Sequence, residues 1–431
     1  MLVGTGSVAN TAPLVSSAPL NVALLGHSFT VQAYASATSD APRGLAYWVG
    51  MLSGQRLRFD FSRVFGLAGD TSGPLDGSRP GFTSRLPAAL QSNADVIIVS
   101  DPTNDFAAGV AYATTVANMA QIFTAIRSAG KICCTWAPTP RGAPNGLSAS
   151  GLLLQARYAQ WLKANAKTFG VIYADASLAL SDPSLTGFDY AAGMAVADDL
   201  HLAIPGARSL GLALTNALLP SLPVADQLTY SSADLYDATN NPNGNLLANA
   251  TMAGTAGTTS ANGATVSGSV ATSWQLLISN GAGLTVTASI VTTGGRRMQQ
   301  IQFSGTPTAG NPAIWIRQTP TFSSQIAQGD SLQALGYAEL DAGSSGITGF
   351  GIEQWIVDGG SSHAMRTGNS VGSLTNGSFP TDAFSGVHRT MLNLTGPSPT
   401  SFYAQYGAQG VNGTAMSGTM RWANLEIRKN G

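Results

Sequence analysis

Charge is scarce in this chain. Asp, Glu, Lys and Arg together make up 10% of its 431 residues, with a formal net charge of -1, against roughly one quarter charged in ordinary soluble domains. A basic face for nucleic acid is thereby excluded. Cysteine is almost missing too. Cys133 and Cys134 are adjacent in an apolar run, where an extended backbone sends neighbouring side chains to opposite faces and prevents them from bridging. Both read as core residues, so neither a disulfide framework nor a Cys-based zinc site is expected. No apolar stretch approaches the roughly 18 residues of a membrane span. The opening "MLVGTGSVANTAPLVSSAPL" shows no basic start and no compact apolar run of a signal peptide. His363 and His388 have no Cys or carboxylate at ligand spacing, and no metal or cofactor is expected.

What the chain does have is glycine, 50 residues of it, with abundant Ser, Thr and Asn. That composition implies many turns and a neutral, hydroxyl-rich surface, as in extracellular or particle-associated proteins. The length calls for two domains. From Asn21 onward, short apolar runs ("NVALLG", "LRFDFSRVFG", "ADVIIVS", "KICCTWAP", "VIYADAS") alternate with segments of helical period, which is the pattern of a parallel sheet covered on both faces. Helical periodicity ends near Pro220 and Pro223, and a polar stretch, "YSSADLYDATNNPNGN", follows. Beyond it the residues alternate. Leu284, Val286, Ala288 and Ile290 share one face, and in the last strand Ala423, Leu425 and Ile427 oppose Trp422, Asn424, Glu426 and Arg428. This is a β-sandwich pattern. The organisation expected is an N-terminal extension (1–20), an α/β domain (21–222), a linker (223–244) and an all-β sandwich (245–431).

A serine hydroxyl becomes a nucleophile only when a base takes its proton and donors stabilise the oxyanion it creates. The first domain offers all these parts just after its strands, where α/β folds build their sites. Ser28 in "LLGHSFT" follows the first strand, and "GLAGDTSG" follows the second with the backbone N–H of Gly69. "DPTNDF" follows the third with the side-chain amide of Asn104, and "ADDLHLAIPGARSLG" near the end sets Asp198 three residues before His201. That spacing lets a carboxylate reach the imidazole across one turn. Taken singly, each block has a plainer reading: a turn at Ser28, an Asx-turn at Asn104 and Asp105, or Asp198 or Asp199 capping a helix beside His201.

Together and in this order, the four blocks resemble the SGNH (GDSL-like) hydrolase family over about residues 20–222. The resemblance implies a flavodoxin-like three-layer α/β/α fold. It makes Ser28 the nucleophile, His201 and Asp198 its triad partners, and the N–H of Ser28, the N–H of Gly69 and Asn104 the oxyanion hole. Two positions depart from the family pattern: His27 stands where the family has Asp before the nucleophile, and Pro102 stands where the third block opens with Gly. Both are expected to line or support the substrate pocket.

The second domain, with "NGNLLANATMAGT" followed by Trp274, resembles jelly-roll carbohydrate-binding modules. Trp274, Trp315, Trp355 and Trp422 are then candidates for stacking on sugar rings, a core role being the alternative. The function expected is a cofactor-free serine esterase removing short acyl groups, O-acetyl above all, from carbohydrate or another small ester. A lipase or thioesterase is the enzymatic alternative, and a glycan-binding or particle-attached adhesin with an inactive hydrolase-like domain is the non-enzymatic one. On the two-module reading, a fragment ending near Leu222 should fold alone.

Overall fold

The computed structural model describes residues 19–430 except 74, 77, 78, 186, 224–227, 230, 319–323, 370–376, 380 and 381. The expected N-terminal extension, up to residue 18, lies outside the described residues, as do 224–227 and 230 of the expected linker.

Five strands form the parallel sheet: β1 (Leu20–Gly26), β2 (Leu57–Gly66), β3 (Val96–Val99), β4 (Ile132–Trp136) and β5 (Ile172–Ala174), in spatial order β2-β1-β3-β4-β5. This is the flavodoxin-like order, whose direction reverses between β1 and β3. Period-two alternation builds a core on each face. Val22, Leu24, Val96, Ile98, Cys134 and Trp136 face helices Leu45–Leu52 and Ile204–Leu218. Ala23, Leu25, Ile97, Val99 and Cys133 face Phe82–Gln91, Tyr112–Ser128 and Ala149–Asn165. The two cysteines are thus buried, free and on opposite faces. On Tyr112–Ser128 the buried stripe runs through Thr115, Met119, Ile122, Phe123 and Ile126, and the helix stops at Gly130, whose φ is +74°.

The C-terminal half is a sandwich of an eight-stranded and a seven-stranded sheet. Asn245 stitches its first segment to the last strand, Met416–Asn430: its side chain donates to the Leu425 carbonyl (3.0 Å) and accepts the Ile427 N–H (3.0 Å). Leu246 and Leu247 fill the core beneath it. The simple alternation expected for the last strand does not hold. Its register against Ser331–Leu340 shifts between Leu335 and Tyr337, and Asn424 takes a φ of +51°. Such a bulge inserts one residue and reverses the phase, so Trp422 joins Leu425 and Ile427 in the core instead of opposing them.

The sandwich is not a separate module. The last two strands at one edge of its eight-stranded sheet are Ser39–Asp40 and Tyr34–Ser36, contributed by the α/β domain. One continuous apolar cluster also runs from Leu24 through Tyr47 and Trp48 to Phe350 and Trp422. Tyr47 Oη donates to the Phe350 carbonyl at 2.7 Å, and Trp48 packs on Phe379 and Phe384 with ring centroids 5.7 and 5.3 Å apart. A fragment ending near Leu222 would lose this cover, so it is not expected to fold as an independent unit.

Candidate active site

Ser28 opens a single turn of helix, Ser28–Val31, directly after β1. The turn sits close against the end of β2. A Cβ at Gly66 would lie 1.8 Å from Thr30 Oγ1, so a bare backbone is needed there. His27 caps the turn, its Nδ1 accepting the Phe29 N–H at 3.4 Å. The proton therefore resides on Nε2, which faces Asp101 Oδ1 at 3.3 Å. Asp101 also accepts the indole N–H of Trp136 (3.0 Å) and the Thr139 N–H (3.3 Å). His27 and Pro102 are both buried, His27 at 0% exposure. His27 supports the turn that carries Ser28 from behind and is itself closed off from solvent.

Opposite Ser28, residues 194–203 make a tight loop, with Val196 N–H bonded to the His201 carbonyl and Ala203 N–H to the Met194 carbonyl. Helix Ile204–Leu218 follows, with Pro205 in its first turn, where a missing N–H is harmless. The loop delivers His201 between two partners. Nδ1–H donates to Asp198 Oδ2 at 2.6 Å, and Nε2 accepts from Ser28 Oγ at 2.9 Å. Asp198 Oδ1 accepts the N–H groups of Leu200 (3.0 Å) and His201 (2.9 Å). Burial works against this carboxylate, but the bonds from the His201 backbone, the His201 ring and Leu200 outweigh it and hold the carboxyl below its usual range.

Asn104 lies in the helical turn after β3, and its Nδ2 donates to the Asp70 carbonyl at 2.9 Å. That bond sets the amide orientation and leaves a second N–H. Gly69 is the third residue of a turn closed by Asp70 N–H to the Leu67 carbonyl, with φ +83°. A positive φ at this place is the type II requirement that selects glycine. The backbone N–H groups of Ser28 and Gly69 have no hydrogen-bond partner among the described residues. Ser28, Asn104 and His201 thus lie around the β1/β3 switch point, where α/β sheets bind ligands. Chemically, the arrangement pairs a hydroxyl with a base whose far nitrogen is anchored on an anion.

Several supporting residues carry no signal strong enough to be found in the sequence. Asp105 is buried and accepts Ser72 N–H (2.7 Å), Ser72 Oγ (2.5 Å) and Thr115 Oγ1 (2.8 Å), tying the Gly69 loop to the Asn104 turn. Burial pushes its carboxyl up, with those bonds opposing the shift. Asp70 pairs with Arg85, which also donates to the carbonyls of Gly26 (2.9 Å) and Phe65 (3.0 Å) at the ends of β1 and β2. Arg141 donates to the Thr103 carbonyl (3.2 Å) and the Asn145 carbonyl (3.0 Å), while Asn145 Nδ2 donates to the Asp198 carbonyl (2.8 Å). Asp70 and Asp105 adjoin the residues singled out in the motifs. Arg141 and Asn145 sit in an irregular loop with no pattern to mark them.

Of the four tryptophans considered for sugar stacking, Trp274, Trp422 and Trp315 are buried, at 1%, 0% and 5% exposure, and present no ring face to a ligand. Trp355 is half-buried, with the Arg366 guanidinium 4.9 Å from its centroid and Tyr403 alongside at 14°. Among the described residues no cluster of His, Cys, Asp and Glu could hold a metal ion, and no helix is long and apolar enough to cross a membrane.

No curated protein is similar enough in sequence to be matched to this chain. Among solved structures it is similar to a GDSL-like lipase from Bacteroides thetaiotaomicron, with 13% identity, TM-score 0.37, and coverage of 47% of this chain and 89% of that one. It is also similar to a member of the lipolytic protein G-D-S-L family from Veillonella parvula, with 16% identity, TM-score 0.35, and coverage of 46% and 96%. A third is TesA, with 20% identity, TM-score 0.36, and coverage of 47% and 99%. The model of the GDSL-like lipase/acylhydrolase family matches residues 24–211, the stretch that carries the order β2-β1-β3-β4-β5 together with Ser28, Gly69, Asn104, Asp198 and His201. Over residues 24–211, its α/β part, this chain matches the GDSL-like lipase/acylhydrolase family, an esterase and lipase type of hydrolase.

Proposed function

We propose that the protein is a serine esterase that removes short acyl groups, O-acetyl in the first place, from carbohydrate. The observation that carries this reading is the continuous chain Ser28 Oγ, His201 Nε2, His201 Nδ1, Asp198 Oδ2, at 2.9 and 2.6 Å. In the first half-reaction Ser28 Oγ bonds to the ester carbonyl carbon as its proton passes to His201 Nε2. Asp198 steadies the imidazolium. The oxyanion rests on the N–H groups of Ser28 and Gly69 and on Asn104 Nδ2. Collapse expels the alcohol, which takes the proton from His201. Water then attacks the acyl-Ser28 ester by the same route and releases the acid. The carbohydrate part of the proposal rests on the neutral, hydroxyl-rich composition and on the attached sandwich, and it goes with an extracellular or particle-associated setting.

One observation favours longer acyl chains, as in a lipase or thioesterase. Val31, at the end of the nucleophile's turn, and Leu67, bonded through its N–H to the Gly26 carbonyl, are 40% and 42% exposed beside Ser28. A nitrophenyl ester series from acetyl to decanoyl, run beside release of acetate from an acetylated polysaccharide, separates the two readings. Ser28→Ala should abolish turnover of every ester while leaving the circular dichroism and melting temperature unchanged. Hydrolysis by that variant at the wild-type rate would remove Ser28 as nucleophile. A folded wild-type protein inert to all of these esters would leave the adhesin reading in its place.

A further inference from the structure

The segment that leaves the nucleophile's turn does not stay in the α/β domain. After Ser28–Val31 the chain passes through buried Ala33 into strands Tyr34–Ser36 and Ser39–Asp40, the last two strands at one edge of the sandwich's eight-stranded sheet. Ser39 pairs in parallel with Arg366, and Arg366 N–H donates to the Thr38 carbonyl at 2.9 Å. Asp40 completes the seam: one carboxyl oxygen accepts the Gly368 N–H at 2.7 Å, the other the Thr367 hydroxyl at 2.9 Å. The return path is held as firmly. Ala41 N–H donates to the Ala33 carbonyl at 3.2 Å, and buried Trp48 donates to the Pro42 carbonyl at 2.6 Å.

On the reading that Ser28 is the nucleophile, we propose that Asp40 is a positioning residue for the hydrolase. Its latch to Thr367 and Gly368 makes the sandwich hold the segment that carries Ser28, so the sandwich acts on turnover as well as on stability. The nucleophile's turn is four residues long, anchored upstream by β1 and downstream by this hairpin. An anchor on one side alone leaves Oγ free to drift from His201, and displacements near 1 Å are enough to slow such reactions severely. The choice of residue points the same way. A carboxylate taken from water at a packed junction is costly unless its oxygens are bonded, and here burial, opposed by the Gly368 and Thr367 bonds, pushes the Asp40 carboxyl up to about 7. An apolar side chain would fill that space at lower cost. It could not lock one register of the hairpin against the sandwich.

The test uses the full chain and a short-acyl nitrophenyl ester, at a temperature well below melting. Asp40→Ala should lower kcat roughly tenfold with KM changed less than twofold, and should slow labelling of Ser28 by a fluorophosphonate to the same degree. Asp40→Asn should recover most of the loss, because its amide can accept from Gly368 N–H and donate to the Thr367 oxygen. Thr367→Val, which removes one of the two bonds, should fall between. Wild-type kcat in folded Asp40→Ala overturns the latch, as does equal loss in the Ala and Asn variants or an effect confined to KM. Should Asp40→Ala fail to fold, wild-type kcat in folded Thr367→Val overturns it instead. Ser28→Ala runs alongside: if it is active, the nucleophile reading fails and the latch with it, whereas an inactive Ser28→Ala beside an unimpaired Asp40→Ala fails the latch alone.

Discussion

At the scale of single residues the sharpest contrast is between two neighbouring carboxylates. Asp198 holds the His201 ring and two backbone N–H groups. Asp199 takes a left-handed φ of +48°, offers its carbonyl to Gly142 N–H at 2.8 Å, and sets its side chain against Gly142. Only the first can fix the imidazole tautomer and stabilise an imidazolium. Asp198→Asn should therefore lower kcat on the order of 10³ to 10⁴, and Asp199→Asn only a few-fold. Steady-state kinetics of the two variants checks this, and a reversed ranking would make Asp199 the orienting group. The Asp-x-x-His spacing already distinguished the pair, because a three-residue separation within one turn is a local property. The role of His27 was not local. The sequence shows a histidine in the family's aspartate position, but Asp101, which sits opposite it at 3.3 Å, comes from the end of another strand.

Among the structural elements, the loop from β4 to helix Ala149–Asn165 does unexpected work. It has no periodicity, yet Arg141 and Asn145 within it join the Asn104 turn to the Asp198 loop. Arg141 is 7% exposed, and burial lowers its pKa from the usual arginine value, opposed chiefly by the Asp101 charge. Arg141→Ala removes the buried donor that the Thr103 and Asn145 carbonyls share, so it should cost roughly 1–3 kcal/mol of stability and reduce kcat. Arg141→Lys should not rescue it, since one ammonium group cannot span both carbonyls as the guanidinium fork does. Chemical denaturation and kcat measured on the same preparations decide this. Equal rescue by lysine would reduce the brace to a matter of charge.

For the whole molecule, the consequence of the shared core is mutual dependence. Tyr47, Trp48 and Met51 are almost fully buried on a helix that faces the sandwich. At roughly 1.5–3 kcal/mol for each large apolar side chain, uncovering them removes a sizeable share of the roughly 5–15 kcal/mol that stabilises a typical domain. A fragment ending near Leu222 should thus be poorly soluble or molten and should not hydrolyse the small ester; a cooperatively melting, fully active fragment would refute this. The same junction should respond to acid. His388 is buried among Tyr47, Phe350 and Trp422, with no hydrogen-bond partner on either ring nitrogen among the described residues. Burial lowers its pKa to about 3. Because the folded value lies below the unfolded one, of about 6.5, its contribution is fully present above that pH and is lost as pH falls toward 3. His388→Phe should flatten that loss, read as melting temperature from pH 7 down to 4. An unchanged acid slope would place the sensitivity elsewhere.

The sequence by itself determined the α/β class, the strand-end positions of Ser28, Gly69 and Asn104, the Asp198–His201 spacing, and the sandwich character of the second half. These rest on periodicity and on turn chemistry, which act over a few residues. The alternation broke at Asn424, because a bulge is imposed by pairing with Ser331–Leu340 and leaves no trace in a hydrophobic pattern. Likewise, nothing local separates a tryptophan that will be covered, such as Trp274, from one left half-open, such as Trp355. Only the tertiary structure decided that Ser39 and Asp40 pair with a strand more than 300 residues later, and that Tyr47 and Trp48 belong to the sandwich core as much as to their own. The physical reason is the same in each case. Contacts between distant segments are chosen by which apolar faces remain uncovered once local structure has formed, and that choice belongs to the assembled chain.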